Sequence, residues 1–173
     1  LAKHFRKVAA TDASESQIKS AVAAPNIEYH VCPAEKCSLP DHSADLITVS
    51  QAVHWFHFER FYNEVRRVGK QNSAIAIWSY GLHQISPELD MIAEQYYHDI
   101  VGPYWPPERK FVEEEYKTIP FPFLEIRAPV LEMKAEWNME QLFGYLFTWS
   151  STQRYLKDMK HNPLDLIAVE TEK

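Results

Sequence analysis

The apolar positions change period several times along the chain, and each change marks an element. Residues 8–12, Val-Ala-Ala-Thr-Asp, form a short apolar run closed by a carboxylate and predict a strand. Ser14 follows, with Gln17 three residues on, a capping-box pattern. Ile18, Ala21 and Val22 give the apolar face of the helix it opens, and Pro25 stops it. Ile27, Tyr29 and Val31 alternate as a second strand. After the turn at Leu39-Pro40-Asp41 comes residues 46–49, Leu-Ile-Thr-Val, a continuous run between polar segments. That is the pattern of a strand buried on both faces of a parallel sheet. Phe58, Phe61, Tyr62, Val65 and Val68 then fall at helical spacing, with Gly69 as the C-terminal cap. Residues 74–78 are another apolar strand. Residues 1–7, apolar at Leu1 and Phe5 with bases between, read as the last turns of a helix. The order β-α-β-β-α-β, with right-handed crossovers, predicts a mostly parallel α/β sheet with helices on its faces.

From Ser79 the texture changes. Residues 87–100 have helical spacing at Leu89, Ile92, Ala93, Tyr96, Tyr97 and Ile100. Residues 102–107, Gly-Pro-Tyr-Trp-Pro-Pro, predict a rigid aromatic loop, either a lid or a packed cover. Glu113, Glu114 and Glu115 read as a solvated face. Residues 130–137 alternate as a half-exposed strand, and Asn138 caps a helix carrying Leu142, Tyr145, Leu146 and Trp149. A last helical pattern follows Asn162-Pro163. The chain is read as a single domain, with a core over residues 1–79 and a cap with C-terminal elements over residues 80–173.

Polar groups that follow a buried parallel strand occupy the position where open α/β sheets bind ligands. Here these are Ser50, Gln51, His54 and Trp55. Asp12 ends the first strand, where a carboxylate can accept two hydrogen bonds from a ribose diol; it can equally serve only as a helix cap. His54 has the ordinary imidazole range for proton transfer near neutrality, and Trp55 can lie against a cation. The bland alternative is that Trp55 and Phe56 seed the next helix while His54 is half-exposed. Metal chemistry is disfavoured. His54 and His57, with His83 or His98, lack a nearby carboxylate at ligand spacing, and Cys32 and Cys37 are five apart with no second pair. Neither Ser50 nor Ser150 lies in a nucleophile elbow, and the four glycines form no phosphate loop.

The length suits one domain with a real core. Eighteen basic and 24 acidic residues give a net charge of −6, which argues against nucleic acid or an anionic membrane as partner. Two cysteines make no disulfide framework, so the reading is cytoplasmic, and no apolar run has the length of a membrane span. The chain starts at Leu1 in mid-pattern, as a piece of something longer would.

Several short motifs in order resemble one family. They are residues 8–14 (Val-Ala-Ala-Thr-Asp-Ala-Ser), 33–35 (Pro-Ala-Glu), 39–40 (Leu-Pro) and 44–56, with the helix, strand and Pro-Tyr-Trp-Pro-Pro-Glu-Arg loop after them. Together they resemble the class I S-adenosylmethionine-dependent methyltransferases, within them the type 11 group that includes trans-aconitate methyltransferase-like proteins. The resemblance implies a Rossmann-like fold with an α+β cap after the fifth family strand, and S-adenosylmethionine as cofactor. It implies that Asp12 binds the ribose, that Ala13, Ala34 and Glu35 border the adenine, and that Ser50 and Gln51 line the methionine end. His54 and Trp55 would face the methyl and the acceptor, with Tyr80, Tyr104 and Trp105 in the acceptor pocket. The family often has Asp where this chain has Pro33. Its first strand and Gly-rich loop would lie upstream of Leu1, so the fold is expected to be truncated at the N-terminus, with exposed sheet edges. Such a chain would bind cofactor poorly, dimerise through the gap, or be inactive. The implied function is methyl transfer to a small molecule, a carboxylate or a hydroxyl. Two rivals stand beside it: a non-catalytic relative that binds a partner or a hydrophobic ligand, and a fragment of a nicotinamide-dependent reductase.

Overall fold

The structure, a computed structural model, describes residues 1–129 and 131–171, the side chains of 169–171 excepted. It divides into two compact units, Leu1–Ser79 with Ile119–Pro122, and Tyr80–Thr118 with the segment from Phe123 onward.

In the first unit, β1 (Val8–Asp12) and β2 (Ile27–Val31) pair in parallel, Val8 opposite Ile27 and Asp12 opposite Val31. Between them α1 (Glu15–Lys19) is capped by Ser14, whose hydroxyl accepts the Gln17 N–H at 3.5 Å. This helix is shorter than its apolar spacing predicts. Only Ile18 among its residues is half-buried, so little apolar area holds further turns, and Val22 lies exposed. The Tyr29 hydroxyl donates to the Val22 carbonyl and ties the connection to β2. Residues 1–5 form one hydrogen-bonded turn, anchored where the Asn26 amide donates to the carbonyls of Ala2 and Phe5, both at 2.8 Å.

The second parallel pair is β3 (Ala44–Ser50) with β4 (Gly69–Trp78), in register from Leu46 opposite Ala74 to Ser50 opposite Trp78. A 3-10 turn (Val53–Trp55) and α2 (Phe58–Val68) connect them. Phe61, Tyr62, Val65 and Val68 are buried, as the helical spacing requires. Gly69 ends α2 at φ −67°, outside the left-handed region expected of a glycine cap. It is glycine for lack of space: an added Cβ would lie 2.6 Å from the Ser73 Oγ and 2.8 Å from the Val65 carbonyl oxygen. The predicted single sheet is therefore present as two parallel pairs, because no strand among the described residues supplies a ladder between β1 and β3. A cleft of about 850 Å3 lies there, lined by Val8, Ala9 and Thr11 of β1, Leu46 and Thr48 of β3, and Phe61 of α2.

The loop after β2 is fastened by a partly buried ion network. Glu64, 9% exposed, accepts the Cys37 N–H at 2.7 Å and both the Nε and Nη2 of Arg67. Arg67 also donates to the carbonyls of Leu39 and Cys37 and to Asp41. The guanidinium holds the Glu64 carboxyl at about 2, against a burial effect in the other direction. Burial raises the neighbouring Cys37 thiol.

The second unit is helical: α3 (Pro87–Gln95), a π-helical turn (Tyr96–Ile100), a 3-10 turn (Gly102–Tyr104), α4 (Arg109–Glu113), α5 (Met139–Phe147), α6 (Ser150–Met159) and α7 (Asp165–Thr171). Asn138 and Gln141 form the capping box of α5. Trp149, placed by its spacing on that helix, lies just beyond it and opens α6. The Gly-Pro-Tyr segment, read as non-helical, makes one 3-10 turn; Pro103 sits where no helical N–H is required. Residues 131–137 form no strand, since no described residue pairs with them, and Leu131 and Met133 are exposed. Val130, the first residue of that predicted strand, lies outside the described residues. The core gathers Tyr96, Tyr97, Val101, Leu146, Trp149, Tyr155, Leu164 and Ile167. The Tyr96 hydroxyl bonds to the Thr152 hydroxyl at 2.8 Å, and that hydroxyl donates to the Leu146 carbonyl. Burial raises the Tyr96 phenol to about 12.

Candidate functional site

In the first unit the candidate residues stand where strands end. Asp12 closes β1 and is exposed. Its Oδ1 accepts the Ser14 N–H at 2.7 Å, which fixes the carboxylate. Its Oδ2 has no protein partner among the described residues and remains available as an acceptor. Asp12 does not cap α1, whose N-cap is Ser14; its bond to the Ser14 N–H leaves the second oxygen for the ligand-binding reading. Ala13 is exposed beside it.

After β2, Ala34 is half-buried. Glu35 has a structural task that its sequence position does not announce: its Oε1 accepts the His57 N–H at 2.8 Å, at the N-terminus of α2, where the His57 side chain makes no cap. An orphan helix donor is thereby satisfied from the β2 side.

Ser50 closes β3, and the Gln51 N–H continues the ladder to the Trp78 carbonyl at 2.9 Å. Gln51 has φ +51°, a left-handed conformation that costs a non-glycine residue on the order of 1 kcal/mol and recurs at ligand sites. The chain then turns abruptly into the 3-10 turn. Val53 and His54 are buried, the latter 7% exposed, whereas Trp55 is half-exposed. The two rings of His54 and Trp55 lie 4.8 Å apart. His54 is therefore not the half-exposed side chain of the bland alternative, and Trp55 presents aromatic surface to its surroundings.

In the second unit, Tyr104 and Trp105 are working parts of the packing. The Tyr104 hydroxyl donates to Asp158 at 3.1 Å, and its ring lies 5.0 Å from Tyr155. The Trp105 indole N–H donates to the Tyr97 carbonyl at 3.3 Å, and its ring lies 5.5 Å from Trp149. Tyr80 is partly exposed, and its phenol acts electrostatically on Tyr116 and Tyr145. Burial raises Tyr116 to about 12. It also depresses the imidazole of His83, a candidate metal ligand. Among the described residues no group of three His, Cys, Asp or Glu is placed to hold a metal. No helix among them is long and apolar enough to cross a membrane.

The family model described as a methyltransferase domain matches residues 1–77, the segment that holds Asp12 through Trp55. A candidate methyltransferase of Dictyostelium discoideum is 38% identical over 160 residues, covering 91% of this chain and 61% of that protein. An uncharacterised methyltransferase of Schizosaccharomyces pombe is 26% identical over 148 residues, covering 83% of this chain and 57% of its own length. The solved structure of a candidate type II methyltransferase from Anaeromyxobacter dehalogenans is 41% identical. It superimposes with a TM-score of 0.85 over 98% of this chain and 72% of that one. The chain belongs to the methyltransferase family. It spans about three fifths of the length of these curated relatives. Its fold is the Rossmann-like fold of the methyltransferases. The family signal could be read from residues 8–14 and 44–56 in sequence. Arg109 ends the loop motif quoted for the resemblance, but nothing in the sequence pointed to its hydrogen bond of 2.6 Å with Tyr97.

Proposed function

We propose that this methyltransferase uses S-adenosylmethionine to methylate a small-molecule acceptor, a carboxylate or a hydroxyl, in the trans-aconitate methyltransferase-like group. The observation that carries the reading is Asp12, held by the Ser14 N–H through one oxygen and offering the other at the carboxyl end of a parallel strand. A ribose diol needs such an acceptor. Small side chains at Ala13 and Ala34 leave room for a flat base, and Glu35 borders it while capping α2. The adenosine half of the cofactor therefore fits the residues present. The methionine half would lie against Ser50 and Gln51, without a Gly-rich loop in this sequence to wrap it.

When bound, the sulfonium supplies a methyl group already activated for in-line displacement. The protein's share is to orient the acceptor and exclude water. Trp55 offers an aromatic face that favours a cation. His54, buried beside it, is needed as a base only where the acceptor must lose a proton, and a carboxylate acceptor does not. Tyr80, Tyr104 and Trp105 belong to the acceptor side. The reading places the protein in the cytoplasm, without nucleic acid or membrane as partner.

A second reading, a non-catalytic relative that binds a partner, draws on the cleft between β1 and β3, whose edges a second copy of the chain would close as a homodimer. The two readings separate when the chain is incubated with methyl-labelled S-adenosylmethionine and a panel of small carboxylic acids and alcohols. Saturable transfer of label to one class, lost in Asp12→Ala, is expected. Absence of transfer to every member, at concentrations where the cofactor is bound, contradicts the catalytic reading.

A further inference from the structure

We infer that Arg109 is a binding residue for a carboxylate group of the acceptor. The inference deepens the methyl-transfer reading, since it takes the ligand of the second unit to be the acceptor.

The chain uses two of its arginines very differently. Arg67 spends its donors within the protein, on Glu64, Asp41 and the carbonyls of Leu39 and Cys37. That is an arginine with a structural task. Arg109 is half-buried and spends only Nε, which donates to the Tyr97 hydroxyl at 2.6 Å. The Tyr97 hydroxyl donates to Glu113 at 2.8 Å, so its oxygen is free to accept from Arg109. Among the described residues no carboxylate lies within ion-pair range of Arg109, and its two terminal nitrogens have no acceptor.

The guanidinium is nonetheless held firmly. Its Cζ lies 4.4 Å from the Trp105 ring centre and 5.1 Å from that of Tyr97, and the two rings are 5.0 Å apart. These distances form a near-equilateral triangle, so the guanidinium sits beside both rings and is not sandwiched between them. The rings are themselves fixed by the indole bond to the Tyr97 carbonyl and by contact with Trp149. Tyr97 stands in the π-helical turn at the end of α3, an irregularity that recurs at functional sites.

A planar cation fixed at Nε and flanked by aromatic rings keeps its two end nitrogens as a parallel pair of donors. That pair matches the two oxygens of a carboxylate, and ordering it beforehand reduces the entropic cost of binding. The surrounding rings suit the hydrocarbon part of the same molecule. The ligand class is therefore an organic acid with an apolar or aromatic body.

The probe is 3-phenylpropionate, compared with its neutral isostere 3-phenylpropionamide, on the full chain. Binding is followed by tryptophan fluorescence and by ligand-observed NMR. The acid is expected to bind roughly 10- to 100-fold more tightly than the amide, the worth of hydrogen bonds to charged partners. Arg109→Gln abolishes the difference. Arg109→Lys, which keeps the charge and loses the fork, recovers only part of it. Equal binding of acid and amide to the native chain overturns the inference, as does no binding of the acid at millimolar concentration; neither result depends on a variant's folding. Affinity for S-adenosylhomocysteine, measured in parallel, is unchanged in Arg109→Gln. Acid binding that follows Arg109 in a chain that fails to bind S-adenosylhomocysteine would leave this site standing and overturn the methyl-transfer reading alone.

Discussion

Glu64→Gln is expected to lower stability by roughly 3 kcal/mol at neutral pH, measured by urea unfolding. The carboxylate is buried and accepts from Cys37 and twice from Arg67, and glutamine cannot satisfy all of these while carrying no charge. The pH dependence follows from the same geometry. Arg67 holds the Glu64 carboxyl at about 2, below its ordinary value of 4.5. A carboxyl lowered by folding contributes stability that is complete above the unfolded value. That contribution is lost as pH falls through the folded value. That depression corresponds to about 3 kcal/mol, lost as pH falls from about 4.5 to about 2. The native chain should therefore lose stability steeply over that window, and Glu64→Gln should have a visibly flatter acid limb. Parallel acid limbs, or a cost below about 1 kcal/mol, would mean that the network does not fasten the 33–41 loop to α2.

The larger effect is expected in the second unit. Trp149→Ala should cost about 3 to 5 kcal/mol, the range for deleting a buried large aromatic. Trp149 is buried among Tyr96, Tyr97, Trp105 and Tyr145, with ring centres 5.5 to 5.9 Å away. Removing it takes one neighbour from all four rings at once, including the two that flank Arg109. Near-UV circular dichroism should lose most of its aromatic signal while the helical far-UV signal persists at low temperature. Trp149→Phe, which keeps one ring, should recover much of the loss. A Trp149→Ala chain with native near-UV signal and a cost below about 1 kcal/mol would contradict the placement of this side chain at the centre of the cluster.

These two residues also mark what the sequence could and could not disclose. The periodicity of residues 58–68 announced α2 and its buried face, because burial of one face writes directly onto spacing. The alternation of β2 and the apolar run of β3 announced strands, but not the burial expected of them: Val31 is exposed and Val49 is the one buried residue of β3, since no ladder joins β1 to β3 among the described residues. Asn138 announced the cap of α5, and the structure adds Gln141 as its reciprocal partner. The reach of Arg67 to Cys37, Leu39 and Asp41 is a tertiary fact that an i, i+3 pair does not reveal. Gly69 looked like a left-handed cap but is required by a close approach. The strand expected at residues 130–137 had the alternation and lacked a partner; pairing, unlike pattern, is non-local. The helix over residues 150–159 was hidden by its polar first turn, Ser150-Ser151-Thr152.

The candidate site divides in the same way. The places of Asp12 and Ser50 at strand ends were legible in the apolar runs that precede them. The capping task of Glu35 was not, since its partner lies 22 residues away. Arg109 was visible only as the last residue of the Pro-Tyr-Trp-Pro-Pro-Glu-Arg loop, with no role assigned to it. Its setting depends on Tyr97, twelve residues earlier, turned by a π-helical segment that ordinary helical spacing does not encode.

The account rests on Asp12 as the ribose acceptor of a working cofactor site. Calorimetric titration of the chain with S-adenosylhomocysteine, repeated on Asp12→Ala, tests it most directly. The prediction is saturable heat for the native chain and an affinity weakened roughly tenfold or more in the variant, the loss of charged hydrogen bonds to a diol. Saturable binding that Asp12→Ala leaves unchanged, or no binding by the native chain, would contradict it.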